Sequence, residues 1–161
     1  MAKINKKPRG LKAVAAFVRG EKKKGKKIVT TNGCFDILHV GHIRSLLAAK
    51  ELGDILVVGI NSDASARALK GSGRPVVPER ERAEIVAALA PVDAVFIFSD
   101  RDPRKWLAKL KPHIHAKGSD RGMGEIIEKD IVAASGGKVV LLPLRKGRST
   151  TDLIKKIRRE K

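Results

Sequence analysis

Two histidines three positions apart, His39 and His42, are the residues of this sequence best suited by type and spacing to chemistry. They follow a β-branched run at residues 28–31, which predicts a buried strand, and precede the helical apolar spacing of residues 43–52. Residues three apart share a helical face, so both imidazoles can point at one bound group. The first helical turn also offers free backbone N–H groups and the positive end of the helix dipole. This pattern predicts an anion site, with phosphate as the expected ligand.

The residues around the two histidines favour binding over simple helix capping. Gly33 permits either a close backbone approach or a positive φ beside a ligand. Asp36 adds an acceptor to the same loop, and Gly41 leaves no side chain between the imidazoles. Cys34, between Gly33 and Asp36, is a short loop residue, and we do not expect it to be a nucleophile.

Strands and helices alternate along the whole chain, which predicts an α/β fold: a Rossmann-like, doubly wound, parallel five-stranded sheet with helices on both faces, in a single domain. The expected strands are residues 28–31, 54–60, 94–98, 113–116 and 138–142. After a first helix that begins at Leu11, the expected helices are residues 43–52, 63–69, 79–89, 103–110, 126–134 and 151–158. In such sheets ligands bind beyond the carboxyl ends of the strands, where the strand order reverses. The polar motifs all follow predicted strands, so we expect them to meet at that edge.

Residues 33–42 read Gly-Cys-Phe-Asp-Ile-Leu-His-Val-Gly-His and closely resemble the Gly-x-Phe-Asp-x-x-His-x-Gly-His signature of the cytidylyltransferase-like nucleotidyltransferases. Within that superfamily, residues 31–39 are most similar to the bacterial heptose 1-phosphate adenylyltransferases, which occur alone or fused behind a sugar kinase. The likeness continues through residues 61–65, Lys70-Gly71, residues 117–120 and residues 149–151, and it covers about residues 26–158. It implies transfer of AMP from ATP to a sugar phosphate, with release of pyrophosphate.

The resemblance also implies roles for individual residues. His39 and His42 would contact the triphosphate and stabilise the transition state, and Lys70 would reach a phosphate. The other nucleotide and phosphate contacts would come from Gly33, Cys34, Phe35, Gly41, Asp120, Arg148, Ser149, Thr150 and Thr151. Arg145 could replace Arg148 as the charge clamp. Asp36, Asn61 and Asp63 would orient the sugar phosphate, although Asp36 could equally be a structural turn acceptor.

The loop after the fourth predicted strand departs from this family. The heptose enzymes usually show a second glycine and an aromatic residue there, and this chain has Ser119 and Arg121. The substrate is therefore less firmly implied than the reaction. Glycerol 3-phosphate cytidylyltransferase and FMN adenylyltransferase, which share the histidine motif, remain the alternatives.

Composition sets further expectations. The 161 residues fit one nucleotidyltransferase domain at residues 11–161, preceded by a basic, disordered arm at residues 1–10. The single cysteine excludes a disulfide framework and a cysteine-based zinc site. No apolar run is long enough to span a bilayer, and the lysine-rich start lacks a signal peptide, so we expect a cytoplasmic protein with no membrane partner.

The net charge of +18 lies mostly at the two ends of the chain. Residues 1–27 carry eleven Lys or Arg against one Glu, and residues 145–161 carry eight against two acidic residues. A basic nucleic-acid-binding module is the alternative from a different functional class. With 3% aromatic residues and no tyrosine, the stacking platforms of single-strand binders are missing, so nucleic acid is not the expected partner.

The remaining expectations concern cofactors, partners and other polar residues. Mg²⁺ should accompany the triphosphate, and no dedicated protein metal site is visible. The expected partners are ATP, a sugar phosphate, a separate sugar kinase upstream and a second copy of the chain in a homodimer. Arg82 and Asp93 fit family positions and could form a salt bridge, whereas the alternation of His113 and His115 predicts a strand rather than a metal site.

Overall fold

The computed structural model describes residue 7 and residues 10–118, 126–143 and 150–159. Helices and strands alternate along these residues, as the sequence predicts. The strands are β1 (Ile28–Gly33), β2 (Ile55–Asn61), β3 (Ala94–Phe98), β4 (Ile114–Gly118) and β5 (Lys138–Leu142). The helices are α1 (Leu11–Lys23), α2 (Val40–Lys50), α3 (Asp63–Lys70), α4 (Glu79–Ala88), α5 (Arg104–Leu110), α6 (Lys129–Ala133) and α7 (Thr150–Arg159).

The five strands form one sheet in the order β3-β2-β1-β4-β5, and every neighbouring pair is parallel. The chain moves outward from β1 to β3 and then returns to the other side of β1 with β4. The strand order therefore reverses between β1 and β4, and a crevice for ligands is expected at the carboxyl ends of these two strands. The predicted parallel sheet is confirmed.

Apolar side chains cover both faces of the sheet, because successive residues of a strand point to opposite sides. On one face, Val29, Val58 and Val95 pack with Leu46 of α2 and Val86 of α4. On the other face, Ile28, Val57 and Phe96 pack with Val18 of α1 and Trp106 of α5. Helices on both faces were predicted, and the two separate clusters of buried residues confirm them.

Several element bounds differ from the predicted ones. β1 continues to Gly33, and α2 begins at Val40 rather than at residue 43, because His39 caps its first turn. α6 spans only Lys129–Ala133 instead of the predicted residues 126–134. Gly136 with φ 78° follows α6, and its left-handed conformation turns the chain towards β5.

Most of the predicted N-terminal arm, residues 1–6, 8 and 9, lies outside the described residues. Within the arm, the Lys7 ammonium donates a hydrogen bond to the Leu89 carbonyl at 2.9 Å, beside the end of α4. Among the described residues, no helix combines the length and the apolar character that crossing a bilayer requires.

Candidate active site

The loop between β1 and α2, residues 34–39, carries Cys34, Phe35, Asp36 and His39 of the predicted site and is called the signature loop below. It leaves the carboxyl end of β1, the central strand, beside the reversal of strand order. Its last residue, His39, has extended backbone angles (φ −142°, ψ 169°) and forms the N-cap of α2. The fold therefore places the histidine motif where a helix N-terminus meets the ligand edge of the sheet.

His39 and His42 form a reciprocal cap on α2. The His39 Nδ1 accepts the Gly41 backbone N–H at 3.1 Å, and the His42 Nδ1 accepts the His39 backbone N–H at 3.3 Å. The two rings stack with centroids 3.9 Å apart and an interplanar angle of 26°. The capping alternative is therefore realised, and the hydrogen bonds that cap the helix also fix both rings.

This arrangement determines where each neutral imidazole carries its proton. A ring nitrogen that accepts a hydrogen bond is unprotonated, so the proton of each neutral ring lies on Nε2. Burial, together with the neighbouring His39, lowers the pKa of His42 to about 4. Near neutral pH the unliganded site therefore offers His42 as a neutral Nε2–H donor, which suits a phosphate oxygen.

Phe35 supports His42 from the signature loop. Its ring centroid lies 5.4 Å from that of His42, and its backbone has φ 47°, the left-handed region that side chains seldom adopt. A Cβ on Gly33 would lie 3.0 Å from Cε2 of the Phe35 ring. The absence of a side chain at Gly33 therefore makes room for the Phe35 ring. The positive φ occurs at Phe35 instead.

Asp36 is buried and holds the segment between α3 and α4. Its Oδ1 accepts the backbone N–H groups of Val76 and Val77 at 2.8 and 2.9 Å, and its Oδ2 pairs with the Arg74 Nε at 3.0 Å. These contacts correspond to the structural alternative considered for Asp36. They fix residues 74–77 against the signature loop.

Asn61 and Asp63 lie at the carboxyl end of β2 and make contacts within the protein. The buried Asn61 amide donates to the Ser65 hydroxyl at 2.9 Å. The Asp63 carboxylate pairs with Arg82 at 2.7 Å, and its backbone N–H donates to the Glu79 carboxylate at 2.6 Å. Both residues line the predicted edge, and their polar groups organise the start of α3.

Arg82 and Asp93 do not pair with each other, so that expectation is wrong. Arg82 pairs with Asp63. Asp93 precedes β3 at the amino edge of the sheet, pairs there with Lys50 and accepts the Leu56 N–H at 2.7 Å. The two residues lie near opposite ends of the β2 and β3 strands, where one salt bridge cannot join them.

Basic groups surround Cys34 at the start of the signature loop. Burial raises the pKa of its thiol, although Lys70, Arg82 and Arg74 each oppose that rise. A raised pKa disfavours the reactive thiolate, which agrees with the expectation that Cys34 is not a nucleophile. Lys70 itself is exposed at the end of α3.

The N-terminus of α7 reaches the same loop. The Thr150 hydroxyl donates to the Ile37 carbonyl at 3.1 Å, whereas Thr151 is exposed. Helix α7 thus begins beside the signature loop, and a helix N-terminus is a place where an anion can bind. The other predicted residues of this region, Asp120, Arg145, Arg148 and Ser149, lie outside the described residues.

Lys117 and Glu128 form a pair that the sequence does not reveal. The Lys117 ammonium, at the end of β4, donates to the Glu128 carboxylate at 2.7 Å and to the Asn32 side-chain oxygen at 3.4 Å. Glu128 is only 4% exposed. The pair lies at the crevice between β1 and β4, and a separation of eleven residues gave no periodic signal for it.

His113 and His115 have structural contacts, as the strand pattern predicts. The His113 Nδ1 accepts the Ile28 N–H at 2.9 Å, and the fully buried His115 contacts the Thr30 hydroxyl at 2.9 Å. Within the described part of the chain, no group of three or more His, Cys, Asp or Glu side chains could hold a metal ion.

Comparisons with known proteins agree with this geometry. The model of the cytidylyltransferase-like family matches residues 30–156. The bifunctional protein HldE of Geotalea uraniireducens is 49% identical over 150 residues, and that of Geobacter metallireducens is 49% identical over 151 residues. These matches cover 93% and 94% of the chain but only 31% of either relative, so the chain spans about a third of their length.

Solved structures share the fold. The lipopolysaccharide core biosynthesis protein from Thermoplasma volcanium superposes with a TM-score of 0.64 at 32% identity, covering 77% of this chain and 100% of that chain. Pantoate-beta-alanine ligase from Francisella tularensis has a TM-score of 0.62 at 16% identity, covering 94% of this chain and 76% of that one, and shows likeness of fold alone. The chain therefore belongs to the cytidylyltransferase-like family of nucleotidyltransferases.

Proposed function

We propose that this chain transfers the adenylyl group of ATP to heptose 1-phosphate and releases pyrophosphate. The observation that carries the proposal is the stacked His39–His42 pair, whose Nδ1 atoms are occupied by backbone N–H groups at the N-terminus of α2. Two Nε2–H donors and a helix N-terminus at the ligand edge of a doubly wound sheet suit a polyphosphate.

The reaction needs positioning more than it needs a base. An oxygen of the sugar phosphate attacks the α-phosphorus of ATP, the bond from that phosphorus to the bridging oxygen breaks, and pyrophosphate leaves. The attacking group is already an anion, so no proton must be removed. Catalysis then consists of alignment and of stabilising charge on the transferring and leaving phosphates.

In this proposal His39 and His42 donate hydrogen bonds to the triphosphate, and Lys70 adds a positive charge from the end of α3. The backbone of Gly33, Cys34, Phe35 and Gly41 lines the phosphate path. Thr151 and the first turn of α7 contact the β- and γ-phosphates, together with Ser149 and either Arg148 or Arg145. Asp120 borders the base and ribose. Asn61, Asp63 and Asp36 act indirectly, by shaping the loops around the sugar phosphate.

Magnesium fits this site as a companion of the nucleotide. Asp36 and Asp63 are already paired with arginines, so the oxygens of the triphosphate would be its main ligands. Bound there, the ion would neutralise phosphate charge.

The choice of heptose 1-phosphate rests on sequence likeness. Residues 31–39 and 61–65 resemble the heptose enzymes, and a solved relative is named for lipopolysaccharide core biosynthesis. The product would be ADP-heptose, a precursor for lipopolysaccharide-type glycans. A sugar kinase must supply the sugar phosphate, and relatives called bifunctional agree with such a pairing of activities.

Three wider features belong to the same proposal. Residues 11–161 form the catalytic domain, and residues 1–10 form a basic arm in front of it. The domain works in the cytoplasm, where its ATP is made. Two copies of the chain associate. Light scattering of the purified protein tests the association, with a monomer mass contradicting it.

A substrate panel tests the proposed reaction. The protein is incubated with ATP or CTP and, in turn, with heptose 1-phosphate, glycerol 3-phosphate or FMN, and pyrophosphate release is measured. Turnover with ATP and heptose 1-phosphate alone supports the proposal. Turnover with CTP and glycerol 3-phosphate, or with ATP and FMN, replaces the substrate and keeps the reaction. No turnover, combined with nucleic-acid binding that weakens steeply with salt, would favour a nucleic-acid-binding module instead.

A further inference from the structure

Arg82, which lies on α4, is a completely buried arginine. Its guanidinium donates hydrogen bonds to three separate segments of the chain. Its Nε donates to the Val77 carbonyl at 2.8 Å, and its Nη2 donates to the Asp63 carboxylate at 2.7 Å. Its Nη1 donates to the Cys34 carbonyl in the signature loop. One planar guanidinium thus connects the exits of β1 and β2 with the segment before α4.

The Cys34 carbonyl immediately precedes the strained residue of the signature loop. Phe35 has φ 47°, and an unfavourable conformation of this kind persists only when its surroundings hold it. Arg82 holds the peptide on one side through Cys34, and Asp36 is held on the other side by the N–H groups of Val76 and Val77. The conformation of Phe35 is therefore fixed from both flanks.

Phe35 in turn lies against the histidine pair. Its ring is 5.4 Å from the ring of His42, which is stacked on His39. A continuous path of contacts leads from the Arg82 guanidinium through the Cys34–Phe35 peptide to His42. Arg82 itself is 0% exposed, so it has no surface with which to contact a substrate.

We infer that Arg82 is a positioning residue, which sets the orientation of His42 through the backbone of the signature loop. The effect on turnover rests on the proposed function, whereas the effect on His42 does not. A purely structural ion pair with Asp63 would stabilise the fold without changing the environment of His42. The two roles therefore differ in a measurable way.

The test compares Arg82→Lys with Arg80→Lys, a matched change at an exposed position of the same helix. Lysine keeps the charge beside Asp63 but lacks the fork that reaches Val77 and Cys34. We expect kcat of Arg82→Lys to fall by about 10²-fold, as for other small misplacements of catalytic groups, with KM for ATP changed much less. In NMR titrations of the unliganded protein, the pKa of His42 should rise from about 4 towards the ordinary value of 6.5, because the ring loses its cover.

The outcomes separate the two claims. An unchanged His42 titration in folded Arg82→Lys overturns the inference, whatever the turnover. If the His42 titration shifts in Arg82→Lys but the wild-type protein releases no pyrophosphate with any substrate, the inference stands and the proposed function is rejected. If Arg82→Lys does not fold, Phe35→Leu replaces it, since this change removes the last contact of the path. An unchanged His42 titration in Phe35→Leu overturns the inference equally.

Discussion

The imidazole rings of His39 and His42 stack 3.9 Å apart, and each turns its Nδ1 to a backbone N–H of the first turn of α2. The same contacts cap the helix and fix the tautomer. In the neutral form of each ring they leave Nε2 as the hydrogen-bond donor. A nucleotidyl transfer with an anionic nucleophile needs donors of this kind, because its charge lies on phosphate oxygens.

Replacing His39 by Asn should separate capping from catalysis. Asn is a good N-cap residue, so α2 should remain intact, but its shorter side chain cannot place a donor where Nε2 lies. We expect kcat for pyrophosphate release to fall by about 10²–10³-fold, the usual cost of losing one donor to a transition-state oxyanion. Circular dichroism should show an unchanged helix content.

The matched control for this change is His113→Asn. His113 is exposed and precedes β4, at the opposite edge of the sheet from the signature loop. Its replacement should leave kcat within about twofold. Full activity of His39→Asn, or equal losses in both variants, would contradict the assigned role.

The lowered pKa of His42 predicts how nucleotide affinity depends on pH. Burial holds this pKa at about 4 in the unliganded site, and a bound triphosphate must raise it, because a nearby anion favours the charged imidazole. Nucleotide binding then takes up a proton, so affinity should increase as the pH falls from 7 towards the pKa of the complex. Calorimetry in two buffers of different ionisation enthalpy measures this uptake.

Since the γ-phosphate of ATP also titrates near pH 6, the informative quantity is the difference between wild type and His42→Asn. The variant should lose the part of the uptake that belongs to His42. Equal proton uptake in the two proteins contradicts the prediction.

The sequence was sufficient to predict the strands and the edge where the motifs meet. The run at residues 55–60 is apolar without interruption, as in strands buried on both faces, and its bounds differ from the prediction by one residue. Parallel strands place their carboxyl ends at one edge of the sheet. The sequence alone therefore predicts His39, Asn61 and Lys117 at that edge. Local patterns carry this information because it depends on periodicity and chain direction.

Tertiary pairings could not be predicted in the same way. Arg82 pairs with Asp63 rather than with Asp93, and Asp36 accepts two N–H groups from residues 40 and 41 positions away. Such partners depend on how loops of irregular backbone fold over one another, for which periodicity gives no signal. The sequence gives no signal for the roles of Arg74 and Glu128 for the same reason, since an isolated charge in a loop is usually solvated.

The two threonines that begin α7 should respond differently to replacement by Val. Thr150 donates to the Ile37 carbonyl and is 9% exposed, so Thr150→Val should lower the free energy of unfolding by about 1 kcal/mol. Thr151 is exposed, and its hydroxyl is the one available to a phosphate. Thr151→Val should therefore raise KM for ATP several-fold and leave stability unchanged. Urea unfolding and steady-state kinetics of both variants check this contrast, and a reversed pattern would exchange the two roles.

Buried His115 should make the protein sensitive to acid. Burial lowers its pKa to about 3 in the folded chain, whereas an unfolded histidine titrates near 6.5. Below pH 6.5 the unfolded chain therefore gains a proton that the folded chain refuses, and stability is lost as the pH falls towards 3. Linkage puts the loss from His115 alone at about 3 kcal/mol between pH 6.5 and 4. Urea unfolding of wild type and His115→Gln checks this prediction. The variant should be less stable at pH 7 but should lose less stability in acid. A constant difference in the free energy of unfolding between the two proteins from pH 7 to 4 would contradict His115 as the cause of the acid sensitivity.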